Sequence, residues 1–209
     1  MNMSIKGDYN AWSANYDTNH NKTRDIEAVA LRNILGQRRF KKALEAGCGT
    51  GKNTVWLMHQ CEQLLAVDFS AGMLSVARGK VRGGNVTFQQ ADLLERWPFE
   101  PNQFDLVVFS LVLEHIENLN HVFAEASSVL SPGGIVYVGE LHPFKQYTGA
   151  KARFGSDADT RELTCYTHHI SSFYTAATDA GLVLSAIEEH FDAEAGKPPR
   201  LLTLLFGKN

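Results

Sequence analysis

The sequence predicts an α/β fold with a doubly wound, mostly parallel sheet, and three observations carry that expectation. Strand-length apolar runs alternate with stretches whose apolar residues recur at helical spacing. A glycine-rich turn, Leu44-Glu45-Ala46-Gly47-Cys48-Gly49-Thr50-Gly51, follows the first run, and Asp68 ends the second. Residues 104–109 are almost uninterruptedly apolar, as a central parallel strand buried on both faces requires.

The elements follow in order. Residues 9–21 read as an irregular or short helical lead-in. Ile26, Val29, Ala30 and Ile34 mark an amphipathic helix over 23–35, with Gly36 as its stop. A short strand over 43–46 leads into the glycine turn, and a helix over 53–60 leaves it. Strands are predicted over 64–67, 86–89, 104–109 and 135–138, with helices over 71–80 and 118–130 between them. Pro132-Gly133-Gly134 turns the chain into the 135–138 strand. Residues 142–167 are polar, carry Gly149 and Gly155, and are too long for an ordinary connector. They read as a cover over the strand ends. A helix over 170–180 and strands over 182–188 and 201–206 complete the chain. Alternating strands and helices imply right-handed crossovers.

Composition sets bounds. At 209 residues, 44% apolar and 21% charged, the chain is an ordinary globular one and large enough for a substantial core. A net charge of −3 lacks the basic excess of a nucleic-acid surface. Arg38-Arg39 and Lys41-Lys42 read as solvated cations near a helix C-terminus. No run approaches the roughly 20 apolar residues of a membrane span, and residues 1–7 lack a signal-peptide core. A cytoplasmic location is therefore expected. Cys48, Cys61 and Cys165 fit reduced thiols, and none has zinc-site spacing, so no metal is expected. A site built from His168-His169 with Asp157 and Asp159 is discounted, because carboxylates at suitable strand ends are missing.

Spacing decides among nucleotide loops. A dinucleotide fingerprint starting at Gly47 would need glycine where Lys52 stands. A Walker A loop ending at Gly51-Lys52 would need glycine at Ala46 and a hydroxyl at Asn53. What remains is E-x-G-x-G-x-G, with an acid, Asp68, placed for two ribose hydroxyls.

Those residues resemble the class I S-adenosylmethionine (SAM) dependent methyltransferases, in particular the small-molecule ubiquinone/menaquinone group. Tyr16-Asp17, the glycine turn, Val67-Asp68-Phe69-Ser70 with Met73-Leu74, and Ala91-Asp92-Leu93 stand in the family's order. Phe104-Asp105-Leu106-Val107, Leu113-Glu114-His115-Ile116 and Leu130-Ser131-Pro132-Gly133-Gly134 follow. The resemblance implies a seven-stranded Rossmann-like sheet ending in an antiparallel hairpin. It also implies one domain over 1–209, with an N-terminal helical lid (1–36) and a substrate cover (142–169).

It implies, further, SAM as methyl donor and S-adenosylhomocysteine as product. Gly47, Gly49 and Gly51, with Cys48 and Asn53, would meet the methionine portion, and Asp68 the ribose. Phe69, Met73, Asp92 and Leu93 would surround the adenine. Ser110, Leu111 and His115 would line the pocket from the central strand, although His115 suits a structural hydrogen bond equally. Tyr16 and Arg24 are candidates for the carboxylate.

Methyl transfer needs alignment of nucleophile, carbon and sulfur, and exclusion of water, so a general base is optional. His142, His168, His169 and Tyr166 are the candidates to touch the acceptor, a small molecule methylated at oxygen, nitrogen or carbon. Alternatives are a protein or RNA methyltransferase, disfavoured because no Asn-Pro-Pro-Tyr-like block stands at Ser110-Leu111-Val112-Leu113, and a SAM-binding protein without turnover. A dehydrogenase is the third.

Overall fold

In the computed structural model of the chain, residues 7, 9, 13, 16–18, 21–149, 153–154, 161–162, 164–194 and 196–209 are described. Asp157 and Asp159 lie outside them, as does much of the lid and of the cover. The first long helix, α1 (Lys22–Leu35), starts where the Asn21 side chain accepts the amides of Thr23 and Arg24. Strand β1 (Phe40–Ala46) follows. It begins three residues before the predicted strand, because the Asp105 carboxylate accepts the amides of Lys41 and Lys42 at 2.7 and 3.0 Å. The predicted helix over 53–60 contracts to α2 (Thr54–Leu57). Beyond it His59 and Gln60 bond to carbonyls only three residues back, tightening the chain so that β2 (Cys61–Asp68) begins at once.

Helix α3 (Ala71–Lys80) is capped by Ser70, whose hydroxyl accepts the Met73 amide. Strands β3 (Val86–Gln90) and β4 (Phe104–Ser110) come next, then one 3₁₀ turn (Leu113–His115) and α4 (Leu119–Val129). Strand β5 (Leu130–Leu141) runs into α5 (Pro143–Tyr147), which the His142 ring caps through the Phe144 amide. Within the cover lie two-residue strands β6 (Arg153–Phe154) and β7 (Arg161–Glu162), paired antiparallel. Helix α6 (Ile170–Asp179) and strands β8 (Leu182–His190) and β9 (Leu201–Lys208) finish the chain.

The main sheet has seven strands in the order β3-β2-β1-β4-β5-β9-β8. All neighbours are parallel except β5·β9 and β8·β9. The order reverses between β1 and β4, which opens a crevice at their carboxyl ends. Alternation along β4 explains its apolar run. Val107 and Phe109 join one layer with Phe123, Val136 and Phe206, while Leu106 and Val108 join the other with Leu31, Leu35 and Tyr137.

Phe123 of α4 is fully buried, with ring centroids 6.1 Å from Phe109 and 5.8 Å from Phe206. Truncating it would leave a void that packed neighbours fill only in part. Phe123→Ala should cost about 3–5 kcal/mol of unfolding free energy in denaturant titrations. A loss under about 1 kcal/mol would show that this layer repacks freely.

Candidate functional site

The crevice between β1 and β4 holds a cavity of about 430 Å³, within the range of small-ligand sites. The glycine turn forms its floor. Gly47 and Gly49 have φ of +81° and +53°, a region closed to most side chains. A Cβ on Gly47 would also lie 2.5 Å from a Val112 methyl. The amides of Gly47 and Cys48 both point back to the Val67 carbonyl.

Asp68, at the end of β2, links two elements. Its Oδ2 accepts the Gly49 amide at 2.9 Å and its Oδ1 the Ser70 amide at 2.8 Å. Burial pushes its carboxyl up, and those amides hold it down. From α1 comes Glu27, which accepts from the Asn53 amide nitrogen at 2.7 Å, while the same nitrogen lies 2.9 Å from the Ser110 hydroxyl. Glu45 accepts from the Thr54 hydroxyl at 2.5 Å. Asp92 accepts the Leu94 amide at the far wall.

The lead-in segment closes the near side. Arg24 donates to the Tyr16 carbonyl at 2.8 Å, and its guanidinium lies 4.3 Å over the Tyr16 ring. Asp17 accepts from the Thr50 hydroxyl and from Lys80, which ties the segment to the glycine turn. Tyr9 stands edge-on to Phe69, and its hydroxyl is 2.7 Å from His115 Nε2. Leu111, just past β4, has φ +53° although it carries a side chain, and its amide donates to the Gly139 carbonyl.

Of the residues expected to hold the cofactor, Tyr16, Arg24, Gly47, Cys48, Gly49, Asn53 and Asp68 line this cavity. Phe69, Asp92, Leu93, Ser110, Leu111 and His115 line it too. Gly51 and Met73 lie outside its lining. Gly51 has φ +80° and a Cβ there would press on Ala77 and Val81 at 3.2 and 3.3 Å, so it lets the turn pack on α3. Met73 is wholly buried in the core beneath.

The four residues expected near the acceptor are also placed elsewhere. His142 pairs with Glu189 at 2.9 Å and caps α5. His168 Nε2 meets the Ile116 carbonyl at 2.7 Å, and His169 meets the Tyr147 hydroxyl at 2.7 Å. Tyr166 donates its amide to the Glu114 carbonyl and accepts from Gln146. None lines the cavity; His142, His168 and Tyr166 tie residues 142–169 to the rest of the chain, and the contact of His169 with Tyr147 lies within them. Conversely, Tyr9, Glu27, Glu45, Thr50, Lys52 and Val112 line it and were not expected there. Glu27 did carry a signal, since it is a charged residue inside the apolar stripe of α1 between Ala28, Ala30 and Leu31.

Residues 44–138 match the methyltransferase domain family. The malonyl-[acyl-carrier protein] O-methyltransferase of Enterobacter lignolyticus is 36% identical over 118 residues, 56% of this chain and 45% of that protein. The demethylmenaquinone methyltransferase of Bacillus pumilus is 34% identical over 124 residues, 56% of this chain and 50% of that protein. The chain thus spans about half the length of these curated relatives. Among solved structures, the N-methyltransferase NodS of Bradyrhizobium japonicum, in complex with S-adenosylhomocysteine, superposes with a TM-score of 0.74 at 20% identity, covering 98% of each chain. A SAM-dependent methyltransferase from Mesorhizobium loti gives 0.71 at 21% identity, covering 85% of this chain and 95% of that one. The domain match over residues 44–138 and the shared fold make the chain similar to the SAM-dependent methyltransferases.

Proposed function

We propose that this protein transfers the methyl group of SAM to a small-molecule acceptor at oxygen, nitrogen or carbon. The observation that carries this reading is the cavity at the reversal of strand order, floored by the glycine turn that Asp68 holds through the Gly49 amide. Glu27, Glu45, Asp68 and Asp92 line it against Arg24 and Lys52, and Lys52 is itself paired with Asp25. A ligand bearing a sulfonium and an ammonium group would draw the carboxyls of Glu27, Glu45 and Asp68, which burial raises, toward their ionised form. A relative named for the small molecule demethylmenaquinone supports a small acceptor.

SAM supplies an activated methyl on a leaving group that departs neutral. The chain's residues bind and orient. Asp68 takes the ribose hydroxyls with the lone pairs its two amides leave over. Asp92 and Leu93 face the adenine, with Phe69 against the ring. The glycine turn, Asn53 and Ser110 meet the methionine chain, with Glu27 behind them, and Arg24 with Tyr16 takes its carboxylate. Tyr9, Tyr16 and Val112 exclude water. Residues 1–36 act as lid and 142–169 as cover of one domain.

Calorimetric titration should show binding of SAM and S-adenosylhomocysteine and none of NAD. Asp68→Ala should weaken SAM binding by about 1.5–3 kcal/mol, the worth of hydrogen bonds to a charged group. Unchanged affinity in a folded variant would remove Asp68 from the ribose role. Incorporation of labelled methyl into candidate acceptors tests the transfer itself.

His168 is buried on a carbonyl, and burial holds its ring below the usual range. His168→Ala should therefore cost about 1–3 kcal/mol of stability and leave SAM affinity unchanged. A stable variant with normal SAM affinity and lost turnover would return His168 to the acceptor.

Burial pushes the Glu45 and Glu140 carboxyls up to about 8. Their ordinary value is near 4.5, so between the two the folded chain holds more protons than the unfolded one. Their contribution to stability is full below about pH 4.5 and is lost as pH rises through 8. Thermal melts of the ligand-free protein should fall from pH 5.5 to 8.5, and Glu45→Gln should flatten that slope. A melting temperature that climbs over this window would contradict the assignment.

A further inference from the structure

At the cavity rim three side chains of different chemistry converge, one of them the cavity-lining His115. We propose that Glu114, His115 and Cys165 form a binding site for a divalent ion of zinc type at the cavity rim. Glu114 and His115 come from the 3₁₀ turn after β4, and Cys165 from the segment where the cover returns to the domain. One donor atom from each lies within 4.8 Å of the other two. His115 Nδ1 is 3.9 Å from the Cys165 sulfur, and Glu114 Oε1 is 3.8 Å from the other ring nitrogen. Zinc bond lengths at a tetrahedral angle put sulfur and nitrogen about 3.6 Å apart, so this pair closes with a few tenths of an ångström, and the Glu114 carboxylate must move in to complete the set.

Two further observations point to a ligand. Glu114 is 9% exposed, and its Oε2 is enclosed without a partner at hydrogen-bond geometry among the described residues. Burial pushes that carboxyl up, while His115, the Cys165 thiol and Gln146 hold it down. A buried carboxylate oxygen left over beside a thiol and an imidazole is what an incoming cation would complete. The second observation is the orientation of His115. Its Nε2 lies 2.7 Å from the Tyr9 hydroxyl, and its Nδ1, on the Cys165 side, donates to the Thr164 carbonyl at 3.0 Å. An ion would take Nδ1 once the ring proton moves to Nε2, where the Tyr9 oxygen accepts it. Metal-bound imidazoles hold their second nitrogen on an oxygen in this way.

Thiolate, imidazole and carboxylate together favour zinc among common ions. Three protein ligands also leave a coordination position open, the pattern of catalytic rather than structural zinc. Because His115 lines the cavity, that position would take an acceptor hydroxyl or thiol and lower its pKa, the proton leaving to solvent. This use rests on the methyl-transfer reading, whereas ion binding does not.

The test reads the ion directly. Reduced, metal-free protein is titrated with Co²⁺ under absorbance, and the product is then challenged with Zn²⁺. One Co²⁺ per chain with a thiolate-to-metal charge-transfer band, bleached by Zn²⁺, is expected. Cys165→Ser should abolish the band and Glu114→Gln weaken binding about tenfold or more, while Cys61→Ser leaves it intact. No band, or a band that survives Cys165→Ser, overturns the site. Should either variant fail to fold, alkylation of the unmutated protein decides, with Zn²⁺ expected to protect Cys165 in peptide mass maps. Alkylation of Cys165 unchanged by Zn²⁺ overturns the site equally. Ion binding without methyl transfer would leave the site standing and count against the functional reading alone.

Discussion

The Asp68 carboxylate is the constraint on which the site depends. It bonds the Gly49 amide of one strand's turn and the Ser70 amide that opens the next helix. Two amides that would otherwise point into a crevice are thereby satisfied, and the glycine turn is held in its left-handed conformation. That arrangement only forms because β1 and β2 run parallel in register, with Ala46 opposite Val67. It only matters because β4 lies on the other side of β1, where the strand order reverses and a ligand can enter.

Around this tie the chain buries an unusual number of acids. Glu27, Glu45, Asp68, Glu114 and Glu140 are all nine-tenths or more buried, and burial raises each. Each has a local job: Glu140 accepts the amides of Val112 and Leu113, which fixes the loop after β4 against β5. Such groups are costly in an apolar surround unless amides or a cation satisfy them. The ligand-free protein therefore holds a set of carboxyls toward their neutral form at one end of its sheet, where a cation would draw them into ionisation.

Much of this was legible in the residues. The helix over 71–80 and the strand over 86–89 were found almost to the residue, because turn signals and apolar periodicity agree there. The E-x-G-x-G-x-G turn with Asp68 was readable because its constraints are local. What was not readable depends on contacts across long loops. Gly47 and Gly51 look alike in sequence, yet Val112 crowds one and Ala77 and Val81 crowd the other. Glu27 reaches the cavity only because α1 packs beside Asn53, Ser110 and Tyr137. The partners of the cover's histidines, carbonyl, hydroxyl and carboxylate groups, also come from distant parts of the chain.

Asp17 has a consequence of another kind. It joins Thr50 of the glycine turn to Lys80 at the end of α3, across a segment whose tyrosines line the cavity. A nucleoside leaving by that side must part these contacts, so enclosure and exchange draw on the same bonds. Tightening the strap would lengthen residence of spent product as surely as it would exclude water.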